Sequence, residues 1–171
     1  MKPLTEADLR ESFVNASRRE AAEAGAPDLE SVRWSEIDYL GWRNPKLPLL
    51  AYVAMTLPED PDTPVGVILR SVPKGERRRR MLCAWCQDIV SKNDVVMYIA
   101  KRAGASGRRG NTIGTAICTD FGCSANARRL PSLAEMSKDA SQDEKDFWIG
   151  LRVEDLRKRA AHFVREVRDS A

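Results

Sequence analysis

The sequence holds one histidine, His162, in 171 residues, and that scarcity narrows the chemistry before any motif is read. Imidazole is the usual general base near neutral pH and a common metal ligand. His162 lies beside Lys158, Arg159, Arg165 and Glu166 at helical spacing, away from apolar positions, and reads as a solvated side chain. No nucleophile and base pair and no open metal site can be assembled from the remaining residues, so an enzyme is not expected, nor a small-molecule substrate. No run of about eighteen apolar residues occurs, so no helical membrane span is expected. The opening MKPLTEADLR has none of the apolar character of a secretion signal, and a cytoplasmic location is the expectation. Internal repeats are absent. The three glycines Gly104, Gly107 and Gly110 lack the lysine and hydroxyl residue of a phosphate loop.

What is present suffices for a core: 43% of the residues are hydrophobic. The stretch TEADLRESFVNASRREAAEA predicts one helix, because Thr5 and Asp8 have capping-box spacing and Leu9, Phe13 and Ala16 share a face. Gly25 and Pro27 end it, giving an N-terminal helical unit over residues 1–26. From Trp34 to Val72 short apolar runs alternate with prolines and glycines, and YLGW, LLAYVAMT and PVGVILRSV read as antiparallel strands. LPEDPDTP between the last two reads as an exposed turn. A further hairpin through VPKGE and RRRR is expected to deliver the first cysteines. DVVMYIA and TIGTAIC read as a second hairpin around KRAGASGRRGN, whose tip is either flexible or ordered by a partner. FGCSANARRL opens a short helix that Pro131 closes. Ile149, Val153, Leu156, Ala160, Phe163 and Val167 then form one apolar stripe along a long C-terminal helix, with packing on the sheet as the expected use.

The four cysteines fall in two pairs, Cys83 and Cys86 as CxxC and Cys118 and Cys123 as CxxxxC, with 31 residues between them. In a reducing compartment such pairs favour metal ligation over disulfides. Zinc takes four sulfurs at about 2.3 Å and leaves no open position in a structural site. A hairpin returns the chain so that Cys118 leaves a strand and Cys123 enters the first turn of a helix, where free backbone N–H groups favour thiolate. Knuckle, hairpin and ligand-bearing helix make a treble-clef zinc finger within residues 81–130. The expected fold is α+β: a small antiparallel sheet joined to this finger over residues 30–171, with an N-terminal helix and a long C-terminal helix.

Charge is unevenly placed. From Arg70 to Leu130 there are 13 Lys and Arg against 4 Asp and Glu, a local charge of +9, whereas the flanks hold 15 against 21, or −6. The basic middle suits an acidic partner, protein or RNA, and Arg79, Arg80, Lys101, Arg102, Arg108, Arg109, Arg128 and Arg129 are its candidate contacts. Trp85, inside the CxxC turn, is a candidate for partner contact and equally for packing over the metal.

LCAWCQ, the 31-residue spacer, CTDFGC and NARRL resemble the C-terminal treble-clef domain of elongation factor G-binding proteins of the FusB type, over about residues 30–168. The resemblance implies one structural zinc on the four cysteines and a non-enzymatic protein that docks on elongation factor G or the ribosome. It further implies promotion of the factor's release, the basis of fusidic acid resistance in that family. The alternative is an RNA-binding zinc finger that uses the same arginines.

Overall fold

The computed structural model describes residues 1–72, 81–91 and 93–169. The expected hairpin through the arginine run, and with it Arg79 and Arg80, lies outside them. Five antiparallel strands form one sheet in the order β1-β2-β3-β4-β5: β1 Leu40–Arg43, β2 Leu50–Leu57, β3 Asp60–Ser71, β4 Val95–Lys101 and β5 Thr112–Cys118. Every strand read from the sequence within the described residues is present. The proline-rich stretch is only partly a turn, however. The chain reverses at Pro58 and Glu59, and Asp60 to Pro64 already belong to β3, with a register irregularity at Thr56 and Leu57 that accommodates the prolines.

The sheet carries a core on each face, which is why β2 is apolar almost throughout. Side chains alternate across a strand. Ala51, Val53, Met55, Val67, Leu69, Tyr98, Ala100 and Ile117 pack beneath the long helix α5, Gln142–Arg168. Leu40, Trp42, Tyr52 and Ala54 form a second cluster on the other side with Leu9 and Phe13. Helix α5 starts at a capping box between Ser141 and Glu144, and its predicted stripe is fully buried from Leu156 to Val167. Ile149 and Val153, nearer its start, are only half-buried.

The N-terminal segment is two helices, α1 Glu6–Ser12 and α2 Arg18–Glu23, where one was expected. Phe13 adopts an extended conformation, and the next N–H, that of Val14, is donated to Gly66 O of β3 at 3.0 Å. Ser17 then starts a second capping box with Glu20. A bond to a distant strand thus outcompetes helical continuation.

The glycine- and arginine-rich turn is also more ordered than its composition suggests. It contains the short helix α3, Gly104–Arg108, with Ser106 and Gly107 buried. A Cβ on Gly107 would meet Arg102 O, so the close approach requires glycine. Ala103 N–H donates to Val167 O at 2.8 Å, and Arg102 donates to Glu166 O at 2.7 Å, tying the turn to the end of α5.

Candidate metal centre

Cys83 and Cys86 flank a turn that docks on the edge of the sheet through Ala84 N–H donating to Ala116 O at 2.7 Å. Cys118 ends β5, and Cys123 is the first residue of α4, Cys123–Arg128. These elements bring four sulfurs within 4.8 Å of one another, all buried and none in a disulfide. Cys83 and Cys123 are 3.5 Å apart, and Cys86 and Cys118 are 3.7 Å apart. Tetrahedral zinc with bonds of about 2.3 Å separates its sulfurs by about 3.8 Å, so the donor set fits the ion in size, number and softness.

The thiols need such a cation. Hydrogen bonding with Cys118 pulls Cys83 and Cys86 down, while Cys118, hydrogen-bonded with Cys123, is pushed up. Four thiolates this close repel one another unless a divalent ion sits among them. The amide of Asn126 on α4 donates to Cys86 Sγ at 3.6 Å and to Cys118 Sγ at 3.5 Å. Its orientation is fixed by Asn93, whose amide donates to Asn126 Oδ1 at 3.2 Å. Such donors disperse thiolate charge and hold the ligands in place. Neither asparagine stood out in the sequence; the spacing from Cys123 to Asn126, one helical turn, is the only signal that could have found it.

Trp85 settles into the interior. It is 1% exposed, edge-on to Tyr39 with ring centroids 4.8 Å apart and tilted against Phe163 at 5.9 Å. Arg159 of α5 donates to its backbone carbonyl at 3.1 Å. Its assignment as a partner contact is therefore corrected: the ring is the pillar on which the CxxC turn stands against α5, because the turn lies over the core edge and not out in solvent.

The arginines divide into two groups. Arg128 donates to Asp38 Oδ1 at 3.1 Å, and Arg157 reaches the same oxygen at 2.7 Å; the Asp38 side chain is fully buried. Burial pushes the Asp38 carboxyl up, but these two guanidinium groups outweigh it and hold it below its ordinary value. Arg129 bonds Asp88 through Nε at 3.0 Å and Glu135 through Nη1 at 2.7 Å, and Arg152 bonds Arg129 O. Both heads are committed to internal carboxylates that brace α4. Arg102 is committed to Glu166 of α5. Lys101, Arg108 and Arg109 are exposed and form no ion pair among the described residues. Of the predicted cations among the described residues, Arg102, Arg128 and Arg129 are thus engaged inside the protein, while Lys101, Arg108 and Arg109 remain exposed.

Several side chains exposed on the ligand-bearing segments are apolar. Leu82 is 52% exposed, Ile89 71% and Leu130 66%, with Val90 also exposed. They lie on the segments that carry the first ligand pair and follow α4. Sequence reading passed over them because a lone exposed aliphatic residue is ordinary; only their clustering on ligand-bearing segments distinguishes them.

No helix among the described residues is long and apolar enough to cross a membrane. No curated protein is significantly similar to the chain. Among solved structures, the fusidic acid resistance protein FusC shares its fold with a TM-score of 0.55 at 20% identity, over 74% of this chain and 53% of FusC. The matched part thus spans about half the length of that protein. The family model described as the FBP C-terminal treble-clef zinc-finger matches residues 8–167, a span that includes most of α1, all of α2, the sheet, all four cysteines and nearly all of α5. With its four-sulfur site for one structural zinc, the chain belongs to the FBP C-terminal treble-clef zinc-finger family.

Proposed function

We propose that the protein is a zinc-stabilised, non-enzymatic binding protein that docks on the translational GTPase elongation factor G and promotes its release, as in fusidic acid resistance. The observation that carries this reading is the closed all-sulfur centre, with Leu82, Ile89, Val90 and Leu130 exposed on the segments that bear or follow its ligands. A metal with four thiolate ligands offers no position for substrate or water, so its contribution is to hold the knuckle and α4 rigid. Rigid apolar side chains next to polar surroundings are what protein partners use as anchors. Family membership and the fold shared with FusC support the choice of partner class. Any effect on the factor then arises from unequal affinity for its ribosome-bound and released conformations.

RNA recognition is the weaker reading, because Arg128 and Arg129, its best-placed cations, are held by Asp38, Asp88 and Glu135. The test is a titration of the zinc-loaded chain with purified elongation factor G and, separately, with structured RNA. Binding to the factor at about micromolar Kd or tighter is expected, weakened at least about tenfold by Ile89→Glu with Leu130→Glu. Binding to RNA alone would overturn the proposal.

A further inference from the structure

Helices α1 and α2 cover the second face of the sheet only over β1 to β3. On the same face, no described helix packs on Met97 and Ile99 of β4 or Gly114 of β5, while Glu20 of α2 approaches Lys101 and Thr112 at one edge. Val72, Met97 and Ile99 are 46%, 38% and 36% exposed there. Among the described residues, strands β3 and β4 pair at Arg70 with Ile99 and Ser71 with Tyr98, and Val72 N–H donates to Met97 O at 3.2 Å. Beyond that point the Asn15 amide bridges them, donating to Ile68 O at 3.0 Å and to Lys101 O at 2.9 Å while its own oxygen accepts from Ile68 N–H at 2.8 Å.

A cavity of about 300 Å³ opens where this bridge meets the bare sheet, lined by Ile68, Val72 and Ile99 on the floor and Arg70, Lys101 and Glu20 at the rim. The Glu20 carboxylate accepts from the Ser17 N–H at 2.9 Å and lies near enough to Lys101 and Arg70 for their charges to lower its pKa further. Arg70 and Lys101 are exposed and form no ion pair within 4 Å among the described residues, so two cations face the one Glu20 carboxylate and the rim stays net positive. An apolar floor with a cationic rim, on a face turned away from α5, is complementary to one chemistry.

We propose that this open face is a second docking surface, which receives an acidic segment of a protein partner. One aliphatic or aromatic side chain of that segment fills the cavity over Ile68 and Ile99, and its carboxylates meet Arg70 and Lys101. The volume, at the lower end of ligand pockets, suits one side chain better than a whole cofactor. The exposed methionine and isoleucine of β4 extend the contact beyond the cavity, as a chain segment requires. This surface does not depend on the identity of the partner at the metal centre.

The test is selection of a random dodecapeptide phage library on the zinc-loaded chain, followed by titration of the enriched peptide as a synthetic probe. Enriched peptides should combine Asp or Glu with Leu, Ile or Phe, and should shift the backbone amides of Ile68, Arg70, Val72, Ile99 and Thr112. Affinity should fall at least about tenfold in the Arg70→Glu, Lys101→Glu double variant and decline with added salt. Both side chains are exposed, so the thermal melt of that variant should match the parent and exclude misfolding as the cause. Ile99→Asp should weaken binding by a similar factor. The proposal fails if no peptide is enriched, if enriched peptides lack acidic residues, if the double variant binds equally well, or if structured RNA displaces the peptide.

Discussion

Asn126 Nδ2 stands 3.5 Å from Cys118 Sγ, a ligand that leaves a different element of the fold, so one amide links the ligand-bearing helix to the last strand. The same nitrogen reaches Cys86, and so contacts both cysteine pairs. Replacing it with leucine, similar in size but without a donor, leaves four sulfurs with less charge dispersal. Asn126→Leu should lose zinc to a competing chelator about 10- to 100-fold more readily than the parent. The parent should contain about one zinc per chain by elemental analysis, and Cys118→Ser, which removes a ligand, should fail to retain it and melt at a markedly lower temperature. Equal zinc retention by Asn126→Leu would remove Asn126 from the metal centre's support.

Trp85 joins the metal centre to the sheet core and α5. Truncation to alanine empties a site bounded by Tyr39 and Phe163. Trp85→Ala should destabilise the zinc-loaded protein by about 3–5 kcal/mol in urea unfolding, and Trp85→Phe by less. A partner-contact role alone would leave stability unchanged, since exposed substitutions usually shift it by no more than about 0.5 kcal/mol.

The Arg129 network predicts a pH dependence. The Arg129 guanidinium holds the Glu135 carboxyl down at about 2, against an ordinary value of 4.5. A carboxyl lowered in the folded state contributes stability that is complete above its ordinary value and is lost as pH falls through the folded value. Glu135→Gln should therefore be less stable than the parent by about 1–3 kcal/mol near neutral pH. Urea unfolding from about pH 7 downward should show the gap narrowing once the pH passes below about 4.5 and closing towards about 2. Comparing the two proteins separates this effect from acid release of zinc, which both share. A gap that stays constant with pH would mean that Glu135 acts by packing and not by charge.

The sequence by itself determined the ligand set, the strands and the long helix. Each is written in local pattern: CxxC places two thiolates on one turn, short apolar runs bounded by turn residues mark the strands, and the stripe from Leu156 to Val167 repeats at helical intervals. Tertiary structure decided what those elements leave free. Arg128 reads as an available cation until Asp38, 90 residues earlier in the chain, is brought beneath it. Trp85 reads equally as a partner contact and as packing over the metal until Tyr39 and Phe163 close around it. The N-terminal helix breaks because Gly66 O, contributed by a strand about fifty residues on, takes the Val14 N–H that helix continuation would have used. Local pattern specifies which faces must be buried, but the pairing of a charge or a backbone donor depends on groups that only the folded chain brings within about 3 Å of it.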